Sequence, residues 1–82
     1  MIKQQQIKLI WDFRGPDGHE IAKHHLFHLD EYAAQSNKKV ETTGVNQISD
    51  MHSVAYMVVK KSDMLFFRDA LKPHRGEYYS TD

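Results

Sequence analysis

The sequence predicts a single small α+β domain in which two helices pack on one face of an antiparallel sheet. Two observations support this prediction. Apolar residues alternate with period two in some segments and recur with helical period in others, in the order β-α-β-β-α with a short closing strand. The chain has 82 residues, which is enough for one domain, over 1–82, and too few for two.

Composition excludes several classes of function. Eleven basic and eleven acidic residues give no net charge, so the chain lacks the basic surface that binds nucleic acid or anionic membranes. The absence of cysteine rules out disulfides, thiol nucleophiles and thiolate metal sites. No apolar run approaches the ~18 residues of a membrane span, and Met1 to Gln6 is too polar for a signal peptide. We therefore expect a cytoplasmic protein with no nucleic-acid or membrane partner.

The first half of the chain predicts a strand followed by a long helix. Residues 6–14 alternate apolar and polar side chains, and a Gly-Pro-Asp-Gly segment then ends the strand. The helix is predicted over Asp17–Ser36, with Asp17 as N-cap and Glu20 at the spacing of a capping box. Asn37 is suited to the left-handed position after the last turn.

The second half predicts two strands, a helix and a closing strand. The strands are Lys39–Ile48 and Met51–Lys60, and Gly44 is expected to mark a bulge in the first of them. The helix is Asp63–Lys72, and Glu77–Ser80 forms a short last strand. This order is that of a split βαβ arrangement, which makes a ferredoxin-like sandwich with strand order 4-1-3-2.

Strand 51–60 predicts assembly, because it is apolar on both faces whereas the helices cover only one. A second copy packed sheet to sheet would cover the other, so we expect a homodimer. Period two does not decide which face of this strand meets the helices.

Three short segments carry a resemblance to a known superfamily: Trp11-Asp12-Phe13-Arg14-Gly15, Asp50-Met51-His52-Ser53 and Lys61-Ser62-Asp63. With the order of elements, they resemble small uncharacterised bacterial members of the dimeric α+β barrel proteins, in which two ferredoxin-like sheets close on each other. The superfamily includes cofactor-independent oxygenases, isomerases and ligand-sensing domains. The resemblance implies the fold and the dimer, and no catalytic motif of any one branch is present here.

Four histidines in residues 19–28 raise the hypothesis of a metal site. His24 and His28 are four residues apart on the predicted helix, and Glu20 and Glu31 each lie about one turn away. Two imidazoles and a carboxylate are ligands for zinc or a similar ion. The alternative is a solvated helix face that is rich in histidine. We favour this alternative and expect no cofactor, because spacing fixes no third ligand.

A second candidate site lies between the long helix and the sheet. His25 flanks the apolar arc of the helix, and His52 begins the central strand, where Trp11 and Tyr56 could line a ligand pocket with it. His25 and His52 are the candidate catalytic bases. The alternatives are a partly buried His25 that hydrogen-bonds to the backbone or to Tyr32, and a Trp11 that belongs to the core. His52 is equally well explained as a hydrogen-bonding residue at the interface or at the strand end.

Arg68, His74 and Arg75 form a small basic group around the end of the second helix. An anion could bind there, although cations near a helix C-terminus also interact favourably with the helix dipole.

The sequence therefore favours a homodimeric protein that binds a small molecule or a protein partner over an enzyme, and it assigns no specific function. The alternative is a cofactor-independent oxygenase or isomerase with a cavity between helix and sheet. Transition-metal binding through the helix histidines is a third, weaker hypothesis.

Overall fold

The computed structural model describes residues 5–79. They form a four-stranded antiparallel sheet and two α-helices, which confirms the predicted α+β class. The elements are β1 (Gln6–Arg14), α1 (Gly18–Gln35), β2 (Val40–Ser49), β3 (His52–Lys60), α2 (Met64–Leu71) and β4 (Arg75–Tyr79). A 3-10 turn, Lys61–Asp63, leads into α2. Neither helix in this part of the chain is long and apolar enough to cross a membrane.

The closing strand begins earlier than predicted. It starts at Arg75, directly after the α2–β4 loop, rather than at Glu77. Its predicted last residue, Ser80, lies outside the described residues. The shift follows from pairing with β1, because Arg75 already pairs with Ile10.

The strands lie in the order β2-β3-β1-β4, and every neighbouring pair is antiparallel. This is the predicted order 4-1-3-2 read from the opposite edge of the sheet. Gly44 was expected at a bulge, but it pairs regularly with Tyr56. The register of β2 shifts instead between Val40 and Thr42, and again close to its end at Ser49.

Both helices pack on one face of the sheet. Alternation along β3 places Val59 on this face and Val58 on the other. This identifies the face of β3 that meets the helices, which the alternation in the sequence did not decide. The core on the helix-bearing face contains six sheet residues and three helix residues: Ile7, Leu9, Trp11, Ala55, Met57, Val59, Ala22, Leu29 and Phe67.

The opposite face of the sheet carries no helix among the described residues and is called here the open face. Its central apolar residues are buried within the single chain: Ile10 and Val54 are 3% exposed, and Val58 is 0% exposed. Val58 has Lys8 and Thr42 as its cross-strand neighbours on this face. The chain itself therefore covers these central residues. A second copy on this face would pack over an apolar centre that is already buried.

The ends of α1 differ in part from the prediction. Asp17 precedes the helix, but its side chain makes no capping hydrogen bond. The Glu20 carboxylate lies 3.0 Å from Lys23 Nζ instead of completing a capping box. Asn37 takes the left-handed conformation (φ 61°), as predicted, and Lys72 takes it after α2 (φ 52°). An asparagine accepts that conformation more readily than a lysine does.

Candidate functional site

An open cleft of about 430 Å³ lies between α2 and the β1–β4 edge of the sheet. Ile7 and Leu9 of β1, Met64 of α2, Pro73 and Tyr78 make most of its lining apolar. Its volume falls within the range of small-molecule sites, roughly 300–1,000 Å³. The cleft therefore has the size and the apolar lining that a small ligand needs.

Gly76 keeps this cleft open. It pairs with Leu9 and lies on the helix-bearing face of β4, where it has no side chain to fill the space beside α2. A Cβ atom at this position would lie 3.6 Å from both Ile7 Cγ2 and Leu9 Cδ2, which is ordinary van der Waals contact. The backbone therefore tolerates a larger residue at this position. The fold does not require a glycine here, and the glycine leaves space in the cleft.

Cationic side chains border the apolar lining. Lys61 and Arg68 lie on the side of the cleft formed by the 3-10 turn and α2. Lys61 Nζ is 3.1 Å from Gln5 Oε1 and 5.4 Å from the centre of the Tyr78 ring. Arg68 Nε is 3.3 Å from the carboxylate of its exposed neighbour, Asp69. An exposed pair of this kind contributes little energy, so Arg68 remains available to a ligand.

A second polar cluster lies on the open face, behind the cleft. Asp12 accepts two hydrogen bonds from Arg75, at 3.0 Å from Nε and 3.1 Å from Nη2, and its Oδ1 is 2.8 Å from His52 Nε2. The hydrogen bonds from Arg75 first, and the hydrogen bond with His52, together lower the pKa of Asp12 to about 2 against the opposing effect of burial. Asp12 is therefore a carboxylate at neutral pH, and its hydrogen bonds join β1 to β3 and β4.

The α2–β4 loop joins this cluster to the cleft. The Asp12 backbone N–H donates to His74 Nδ1 at 2.7 Å, and the His74 N–H donates to the Ile10 carbonyl at 2.9 Å. His74 Nδ1 therefore acts as a hydrogen-bond acceptor. In the neutral imidazole of His74, the ring proton is then on Nε2. The two hydrogen bonds hold the loop against β1 and fix one wall of the cleft.

The four residues predicted to line a pocket lie on two faces of the sheet. Trp11 and His25 are on the helix-bearing face, with ring centroids 5.2 Å apart, whereas His52 and Tyr56 are on the open face. They do not line one cavity, and none of them lines the cleft. Trp11 is a core residue whose Nε1–H donates to the Leu71 carbonyl at 2.9 Å, near the end of α2.

His25 packs as an aromatic side chain between α1 and β1. Its ring lies 5.2 Å from Trp11 and 5.4 Å from Phe13, centroid to centroid. Its Nε2 is buried and has no hydrogen-bond partner in the described part of the chain. Burial lowers the pKa of His25, and the charges of nearby histidines, His28 first, lower it further. The neutral form is therefore favoured at this site.

His24 and His28 meet on the exposed face of α1, as their spacing predicts. Their Nε2 atoms are 3.2 Å apart, and His28 Nδ1 is 3.3 Å from the Glu31 carboxylate. Glu20, the other predicted ligand, is paired with Lys23. Within residues 5–79 no three His, Asp or Glu side chains are grouped so that they could hold a metal ion.

Sequence reasoning found part of the cleft and missed the rest. Arg68, His74 and Arg75 were identified as a group that could bind an anion, and all three border the cleft. Lys61 and Gly76 were missed. A glycine between polar residues in a closing strand is the signal that could have located the cleft, since it removes a side chain beside an apolar strand.

Comparisons with protein-family models, curated proteins and solved structures found no match for this chain.

Proposed function

We propose that this chain is a binding module that takes a small molecule in the cleft between α2 and β4 and has no catalytic activity of its own. The observation that carries this proposal is the cleft itself, which Gly76 leaves open above an apolar lining. Apolar sites of this volume with a few polar groups at the border are typical of ligand pockets.

The positions of the titratable groups favour binding over catalysis. A general base must reach the substrate from the wall of its site. His74 does border the cleft, but its Nδ1 already accepts the Asp12 N–H. His52 Nε2 is hydrogen-bonded to Asp12 on the open face, and His25 lies beneath α1 among aromatic rings. The histidines that could act as bases are thus engaged or distant from the cleft.

A cofactor-independent oxygenase or isomerase is the second candidate. The buried and unpartnered Nε2 of His25 favours it, because a neutral imidazole in apolar surroundings can accept a proton from a substrate. Such a substrate would have to enter between α1 and β1, where Trp11 and Phe13 now contact the ring.

Filling the cleft tests the proposed function. Gly76→Val places a β-branched side chain on a strand, in contact with Ile7 and Leu9, so we expect unchanged or higher thermal stability. We expect the wild-type protein to bind the neutral fluorescent probe N-phenyl-1-naphthylamine, and Gly76→Val to lose that binding. Ala34→Leu, at an exposed position on α1, is the control for added apolar volume. Equal binding of the probe by wild type and Gly76→Val would refute the cleft as the site.

We further propose that the fold is ferredoxin-like and that two copies pair through their open faces as a dimeric α+β barrel. The strand order β2-β3-β1-β4 and the placement of both helices on one face support this. Two central charged groups of the open face also favour it, since they make contacts within the chain. Asp12 is bonded to Arg75 and His52, and Lys8 Nζ stacks 4.4 Å from the centre of the Tyr56 ring. A carboxylate that is already paired is less costly to bury.

A further inference from the structure

We infer that the ligand of the α2–β4 cleft is an amphipathic acid, with an apolar body and a single anionic group of the carboxylate, sulfonate or phosphate class. The inference rests on the proposed function, since it names the chemistry of the molecule that the cleft takes. It follows from the arrangement of two cations around the apolar lining.

Lys61, Met64 and Arg68 lie on the same side of the segment formed by the 3-10 turn and α2. Their spacing of three and then four residues brings them to one side of a helical turn, and all three line the cleft. Met64 therefore has a cation on each side of it along this wall. A ligand whose apolar part lies on Met64 meets an ammonium or a guanidinium group at either end.

Among residues 5–79, both cations are available to an anion. The polar and aromatic contacts of Lys61 are with the neutral Gln5 amide and the Tyr78 ring. Arg68 bonds through Nε to Asp69, and both side chains are more than half exposed. An anionic group would replace these weak contacts with charge-assisted hydrogen bonds beside an apolar surface. Arg75, by contrast, is held in two hydrogen bonds by Asp12 and cannot serve the ligand without breaking them.

The rest of the lining limits the charge of the ligand. Ile7, Leu9 and Pro73 offer no hydrogen bonds from their side chains to a second anionic group. Glu77 borders the cleft from the edge strand and would repel a polyanion. One anionic group bonded by Lys61 or by Arg68, with an apolar body on Met64 and β1, therefore fits the cleft better than a polyphosphate or a cation does.

A matched pair of probes tests this inference. 8-Anilinonaphthalene-1-sulfonate and N-phenyl-1-naphthylamine share the same aromatic body, and only the first carries an anionic group. We expect the wild-type protein to bind the sulfonate more tightly. The double variant Lys61→Gln/Arg68→Gln should weaken sulfonate binding about tenfold or more, since hydrogen bonds to charged groups are the strong ones. Its affinity for the neutral probe should not change.

The controls separate this inference from the proposed function. Lys23→Gln/Lys39→Gln removes two exposed cations elsewhere and should leave both affinities unchanged, while Gly76→Val should abolish binding of both probes. If neither probe binds the wild-type protein, the proposed function fails. If both bind equally and Lys61→Gln/Arg68→Gln changes neither affinity, the proposed function stands and the amphipathic acid is wrong.

Discussion

At the residue scale, Asp12 is the most constrained polar side chain of the open face. Its side chain is 16% exposed, as is that of His52, whereas its other partner, Arg75, is 50% exposed. The three residues come from β1, β3 and β4, so their hydrogen bonds join three strands through one carboxylate. This cluster should therefore contribute to the free energy of unfolding in a way that depends on pH.

We predict that Arg75→Gln lowers the free energy of unfolding at neutral pH by about 1 kcal/mol. The difference between the ordinary pKa of Asp12, 3.8, and about 2 in the folded protein corresponds to roughly 2.5 kcal/mol, and the exposed guanidinium reduces that value. Because the folded-state pKa is lowered, this stability is present above pH 3.8 and is lost as the pH falls through about 2. Urea unfolding at pH 7, 4 and 2.5 measures it.

The matched control for this prediction is Arg68→Gln, which removes an exposed arginine whose partner is its sequence neighbour. It should leave stability unchanged at every pH. A destabilisation by Arg75→Gln that stays the same at pH 7 and pH 2.5 would show that Asp12 is not its cause.

At the element scale, β2 and β3 fit together through a glycine and an aromatic ring. Gly44 and Tyr56 are paired on the open face, and the Tyr56 ring lies where a Cβ on Gly44 would be. Such a Cβ would be 2.6 Å from Tyr56 Cζ, well inside van der Waals contact. Lys8 Nζ lies over the same ring, so the ring is in contact with both neighbouring strands.

We predict that Gly44→Ala destabilises the protein by about 1–2 kcal/mol, because the ring must leave its packed position. In a Tyr56→Ala background the clash is absent, and the same substitution should be neutral or stabilising, since alanine reduces the entropy of the unfolded chain. A double-mutant cycle measured by urea unfolding gives the coupling energy between the two positions. Equal effects of Gly44→Ala in both backgrounds would contradict this packing.

The elements were largely predictable from the sequence, and their contacts were not. Alternation over Gln6–Arg14 located β1 at its observed bounds, and apolar spacing located α1 to within one residue at each end. The Asp12–Arg75 pair depends on the register between β1 and β4, which period two alone does not specify. The cleft depends on how far α2 covers the sheet edge, which is a property of packing and not of local pattern.

At the scale of the whole molecule, the apolar residues on the two faces of the sheet are buried in different ways. The helix-bearing face is covered by α1 and α2, except beside Gly76, where the cleft opens. On the open face the chain buries its own apolar centre, with Ile10 and Val58 almost inaccessible to solvent. Association through the open face would therefore depend on the half-buried side chains around that centre, Tyr56 first among them.

We predict that light scattering at micromolar concentration gives twice the mass of the chain. Packing of one open face on another forms a large interface, on the order of 2,000 Å² in total.

Tyr56→Glu should dissociate this dimer, because its carboxylate would be buried at the interface. It should leave the fold intact, since Tyr56 is only partly buried within the single chain. Phe27→Glu, at a 61% exposed position on α1, should stay dimeric. A wild-type mass of one chain, or equal dissociation by both variants, would overturn the pairing of open faces.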